Sequence, residues 1–220
     1  MGFNYYASIN GNIGQLIKAK NYEKILCNYL NESQYIFPEH YEQVKVQSNN
    51  ECDFIDEHGR KFDAKLLFEE IQCKLLSKGF LNLEAWLLSV LSEIYESSNI
   101  LMKNNRAKIE HTALYQEILR RLNSVKCDEA AILFMPFPFV PESENSVHLR
   151  DASDILSITY DAIKEDVAIH NMGTYIIYPS AIDRKIVLRD LDEQPNKQHK
   201  EYLPLGELDQ YITYSLRLSE

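Results

Sequence analysis

Apolar and polar positions alternate across the stretch "CDFIDEHGRKFDAKLLF", Cys52 to Phe68. Period-two alternation on both sides of a glycine-bearing break reads as a β-hairpin. A three-residue loop Glu57-His58-Gly59, with Gly59 in the left-handed region, places Asp56 opposite Arg60. Phe54 then faces Phe62, and Asp53 faces Asp63. One hairpin face collects Cys52, Phe54, Phe62, Ala64 and Leu66, and the other collects Asp53, Asp63 and Lys65. A two-residue His58-Gly59 loop would shift the register and put the two aspartates on opposite faces.

The rest of the pattern divides into helical and strand-like runs. "IGQLIKAKNYEKILCNYL" has helical spacing of Leu16, Ile17, Leu26 and Leu30 and stops before Pro38. "YEQVKVQ" alternates as a short strand. Helical patterns follow over Glu69–Lys78, Leu83–Ser97 and Arg106–Val125. "EAAILFMPFPF" is a buried strand stopped by Pro136 and Pro138. "DASDILSITYDAIKED" begins with cap-competent Asp151 and Ser153 and reads as a helix. "TYIIYPS" and "RKIVLRDL" read as two strands, "PNKQHKEYLP" as a polar loop, and Leu205–Leu218 as a terminal helix. This order predicts an α/β fold: a mixed central sheet with an antiparallel hairpin, flanked by helices. The polar stretch "PESENSVHLR" suggests a boundary near Pro141, dividing a core at 1–140 from a C-terminal α/β extension at 141–220 of the same or a second domain.

Composition narrows the function classes. The formal net charge is −10, so the overall field does not draw the chain to nucleic acid, and any such activity needs a local basic patch or a partner. Lys103, Arg106, Lys108, Arg120, Arg121 and Lys126 form the richest local concentration of positive charge. The four cysteines (Cys27, Cys52, Cys73 and Cys127) form no CxxC pair, which argues against a zinc ribbon or a disulfide framework and for a reducing cytoplasm. The apolar "LNLEAWLLSVLSEIY" carries Glu84 and Glu93 and reads as a core helix rather than a membrane span. The six histidines show no ligand spacing, and no Walker loop, GxGxxG or GxSxG element is present.

The aspartates of the hairpin carry the chemistry. Opposed side chains on paired strands lie about 4.5–5.5 Å apart at Cβ. Two carboxylates that close repel unless a cation lies between them. Mg²⁺, or Mn²⁺ in its place, suits one or two carboxylates plus water and phosphate oxygens. Lys65 on the same face is placed to touch the attacking water or the phosphate. A bland alternative exists: Glu51 opposite Lys65 would make an ordinary cross-strand ion pair. The acid-x-Lys triplet occurs twice, at Asp63-Ala64-Lys65 and Asp183-Arg184-Lys185, and only the first has an aspartate about ten residues upstream across a glycine turn.

With Asp53 after Cys52 and the triplet Asp63–Lys65, the region resembles the PD-(D/E)xK, or restriction-endonuclease-like, nuclease superfamily. The resemblance spans about residues 10–140. It implies an α-β-β-β-α-β core and a metal-dependent endonuclease acting on DNA in preference to RNA, in settings such as phage defence or DNA processing. By the same resemblance, Asp53, Asp63 and Glu23 would hold the metal. Asp53, Asp63, Lys65 and Gln72 would serve catalysis. Cys52 stands where the family usually has proline, and Leu76 where it often has tyrosine. The competing expectation is a non-catalytic subunit that docks onto a larger complex, with a protein partner or another copy of itself, in keeping with the acidity and the C-terminal third outside the resemblance.

Overall fold

The computed structural model describes residues 3–9, 21–44, 52–67, 112–127, 130–135, 159–164, 173–180, 183–193 and 200–218. In chain order the strands are β1 (Phe3–Ile9), β2 (Tyr41–Gln43), β3 (Phe54–Asp56), β4 (Lys61–Leu66), β5 (Ala130–Phe134), β6 (Gly173–Ser180), β7 (Lys185–Asp190), β8 (Lys200–Leu203) and β9 (Ile212–Leu218). The helices are α1 (Asn21–Glu32), α2 (Ala113–Leu122) and α3 at 159–164, with a 3-10 helix over Gly206–Tyr211. The fold is α/β. Seven strands form one mixed sheet in the order β2-β3-β4-β5-β6-β7-β8, and β1 pairs with β9 in a separate two-stranded ribbon.

The expected hairpin is β3–β4. Phe54 pairs with Phe62, and Gly59 adopts φ +82. The Asp56 N–H donates to Arg60 O, and the Gly59 N–H donates to Asp56 O. The loop therefore has three residues, and the one-residue shift of the alternative register does not occur. Asp56 fixes the turn: its carboxylate accepts the N–H groups of His58 and Arg60 and the Arg60 guanidinium.

β4 is the pivot of the sheet. It runs antiparallel to β3 and parallel to β5, which runs parallel to β6. Phe62, Asp63 and Ala64 are all buried, so both faces of β4 are covered, as expected for a strand inside a sheet with parallel neighbours. β5, "AAILF", is buried throughout, which accounts for its uninterrupted apolar sequence. β6 to β8 continue the same sheet from the C-terminal third.

Two helices show why their sequences are helical. α2 presents Leu114, Tyr115, Ile118 and Leu122 to the core at i, i+1, i+4 and i+8 spacing. Thr112 caps it by accepting the Tyr115 N–H, and Arg120 and Arg121 favour its C-terminal end. α1 buries Ile25, Leu26, Tyr29 and Leu30. Beyond α1, Phe37, Tyr41 and Phe62 make edge-on ring contacts with centroids 5.2–6.0 Å apart, and Phe37 lies 4.6 Å from Tyr175. These rings tie the α1–β2 connection onto β4 and β6.

Two sequence expectations are corrected. Leu205–Leu218 is not a terminal helix. Leu205, Leu208 and Ile212 imitate helical spacing, but the helix is a short 3-10 turn, and "ITYSLRL" changes to period two and pairs with β1, Phe3↔Leu218 through Ile9↔Ile212. "PNKQHKEYLP" is not all loop, because Lys200–Leu203 pairs with β7. Its polar composition misled because Glu201 is buried for a structural reason. Its carboxylate accepts the Ser33 hydroxyl at 2.6 Å and the N–H groups of Gln34 and Ile36, so it anchors the end of α1.

The expected helices at Glu69–Lys78 and Leu83–Ser97, and the boundary near Pro141, lie outside the described residues. Among the described residues no helix is long and apolar enough to cross a membrane.

The Gly59 turn yields a direct stability test. A Cβ at Gly59 would meet nothing within 4 Å, so the cost of a side chain is the left-handed backbone alone. Gly59→Ala should destabilise by about 1–2 kcal/mol. In urea unfolding the midpoint should fall at unchanged m-value, with Gly59→Asn losing less.

Candidate active site

The register that pairs Phe54 with Phe62 puts Asp53 and Asp63 at the next position, at the end of the β3–β4 ladder. Asp53 is held on three sides. Its N–H donates to Phe62 O, its carbonyl accepts the Val44 N–H, and its Oδ2 accepts the Ala64 N–H at 2.8 Å. The side chain thus takes a donor of the neighbouring strand just where backbone pairing stops.

Asp63 is only 1% exposed. Its Oδ2 accepts the Lys65 ammonium and the Lys126 N–H, each at 2.7 Å. Its Oδ1 is buried with no hydrogen-bond partner among the described residues. A buried carboxyl oxygen without a partner is costly, and a water or a cation there would relieve the cost. Lys65 is itself largely covered, with its side chain 13% exposed.

The Asp63 carboxyl is close enough to Asp53 to act on its ionisation. Burial pushes the Asp53 carboxyl up to about 7, with the adjacent Asp63 adding to the rise and the Ala64 N–H opposing it. The Glu23 charge adds a smaller push in the same direction. Beside the site, burial also raises the Cys127 thiol, helped by contact with the Cys52 thiol and by the charge of Asp63. These two thiols provide an unreactive, weakly polar wall that keeps the dielectric low around the carboxylates.

The structure therefore brings together Asp53, Asp63 and Lys65 of the expected residues. Glu23 on α1 stands further out. Its Oε2 accepts the Gln43 side-chain amide at 3.1 Å, and it does not join the two aspartates in a set of three ligands with atoms within 4.8 Å of one another. Gln72 and Glu51 lie outside the described residues. The second acid-x-Lys triplet is the turn between β6 and β7, where Asp183 bonds Ser180 and Arg184 has φ 52.

Sequence reasoning missed the Lys126 N–H. It is a backbone donor, and side-chain motifs carry no signal for it.

Among the described residues one group of three potential ligands is close-set: Glu39, Glu57 and His58 at the hairpin tip. Its members are already engaged. His58 pairs with Glu39 at 3.3 Å, and Arg60 approaches the same Glu39 at 3.7 Å. Glu57 and His58 are exposed, which suits surface ion pairs better than a built centre.

The donor set at Asp53 and Asp63 fits a hard divalent cation: carboxylate oxygens only, one of them orphaned and buried, with room in the ligand count for water and phosphate. No family model, no curated protein and no solved structure matches this chain.

The Asp53 shift has a signed consequence for stability. Its folded value, about 7, lies above its ordinary value of 3.8. Between these values the folded protein keeps a proton that the unfolded chain has lost, so this group makes stability fall as pH rises through that window. In metal-free protein Asp53→Asn should be the more stable form at pH 8, by on the order of 2–4 kcal/mol. The gap should shrink towards pH 4. Denaturation curves showing a gap independent of pH would contradict the raised Asp53 value.

Proposed function

We propose that the chain is a metal-dependent nuclease that hydrolyses phosphodiester bonds in DNA, built on a restriction-endonuclease-like core. The observation that carries this reading is Asp63: a buried carboxylate with one oxygen orphaned, a second carboxylate beside it and a lysine on its other oxygen. The order of the described elements α1-β2-β3-β4-α2-β5 supports the reading, since it agrees with the α-β-β-β-α-β core that the sequence resembles. We place the protein in the reducing cytoplasm, in keeping with its buried thiols Cys27, Cys52 and Cys127.

In this mechanism Asp53 and Asp63 would hold Mg²⁺ or Mn²⁺, which would supply Lewis-acid activation of the phosphate and of the attacking water. The chain's own contribution is positional and electrostatic. Asp53 must lose its proton to act as a ligand. The Lys126 N–H orients Asp63 by donating to its Oδ2. Lys65, held at Asp63, stabilises negative charge that develops on the phosphate. Glu23, outside the ligand pair, adds negative potential and can orient water through its second oxygen. Gln72 follows on the next stretch of chain, and its assignment to catalysis rests on the resemblance alone.

Two substitutions test the site. Mg²⁺ or Mn²⁺ should raise the melting temperature by mass action, and Asp63→Ala should abolish that rise. Lys65→Ala should keep the metal-induced rise but lower the rate of Mg²⁺-dependent cleavage about a hundred- to a thousandfold, equivalent to about 3–4 kcal/mol. Plasmid and single-stranded DNA are the substrates. The docking-subunit reading, favoured by the net charge of −10, expects no cleavage by the parent protein and no effect of Lys65→Ala beyond a small stability change.

A further inference from the structure

We infer that Lys126 anchors the nucleic-acid substrate, its ammonium binding a phosphate next to the one held at Asp63. This inference rests on the nuclease reading above and extends it to how an acidic protein holds a polyanion.

The backbone of Lys126 is part of the site. Its N–H donates to Asp63 Oδ2 at 2.7 Å. The segment that carries it is pinned on both sides. After α2 the chain turns through Ser124, whose N–H and hydroxyl both donate to Arg121 O. Val125 packs against the core, and Cys127 is buried with its thiol donating to Ala130 O. Between these two inward residues, Lys126 itself is exposed. Its amide faces the carboxylate while its long side chain is in solvent. The ammonium is therefore tethered by a four-carbon stem to a point in direct contact with the site.

Charge makes that location matter. The chain carries −10 overall, and Asp53, Asp63 and Glu23 add local negative charge where a phosphate would have to approach. Many of the described cations are committed elsewhere. Arg60 pairs with Asp56, Arg120 and Arg121 pair with Glu117, Lys164 pairs with Asp192, and Lys65 pairs with Asp63. Lys126 has no ion pair among the described residues. DNA carries a phosphate about every 3.4 Å along each strand, so seating one phosphate at Asp63 brings its neighbours within reach of this side chain.

The test compares Lys126→Ala and Lys126→Arg with the parent. Every form keeps the N–H that holds Asp63, so the Mn²⁺-induced thermal shift should be the same in all three. Binding of a 20-nucleotide DNA, single-stranded and duplex, is measured in Ca²⁺ from 50 to 200 mM salt. Loss of one phosphate contact should reduce the slope of log K against log salt by about 0.9 for duplex or about 0.7 for single strands. Affinity of Lys126→Ala at 50 mM salt should fall about tenfold, and Lys126→Arg should restore it. In cleavage assays the loss should sit in KM rather than in kcat, because the contact is made equally in ground and transition states. A parent that binds DNA and a Lys126→Ala protein with the same slope and affinity would overturn the inference and leave the nuclease reading standing. A parent that binds metal but no DNA would overturn both.

Discussion

The burial of the Asp63 carboxyl inside the sheet is the constraint that the site depends on. A carboxylate removed from water must be repaid by close partners. Lys65 and the Lys126 N–H satisfy one oxygen, and among the described residues no donor reaches the other. Asp53, pressed against it, resists ionisation and keeps a proton up to about pH 7. On the proposed reading, a divalent cation held by the two carboxylates would give the orphaned oxygen a partner and favour the ionised form of Asp53.

The fold supplies the means to hold Asp63 there. β4 is covered on both faces and locked on both edges, by the hairpin on one side and by β5 on the other. The ring cluster of Phe37, Tyr41, Phe62 and Tyr175 packs the α1–β2 connection onto β4 and β6. Glu201, from the far edge of the sheet, gathers the N–H groups at the end of α1. Elements from both halves of the sequence therefore stand behind the hairpin. Its register cannot slip without moving the aspartates off their shared position.

What was legible in the sequence is local. Gly59 marked the turn, and the match of Phe54 with Phe62 set the register. The same pattern brought Asp53, Asp63 and Lys65 together. The apolar runs of β5, β6 and β7 were readable because buried strands need apolar side chains on both faces. Long-range pairing was not readable. β9 finds its partner in β1, two hundred residues away in the chain, and local spacing of Leu205, Leu208 and Ile212 pointed to a helix instead. Glu201 looked like a loop residue because its partners are backbone N–H groups from another part of the chain. Glu23, which the resemblance names as a third metal ligand, instead accepts the Gln43 side-chain amide.

The central claim is that a divalent cation sits between Asp53 and Asp63. The direct measurement is a crystal structure of the protein with Mn²⁺, with the ion located by its anomalous scattering. The account predicts a peak bonded to Asp63 Oδ1 and to an Asp53 oxygen, at about 2.0–2.2 Å, with the remaining ligands from water. A peak at Glu39, Glu57 and His58 with none at the aspartates, or well-ordered aspartates without a peak at saturating Mn²⁺, would contradict it.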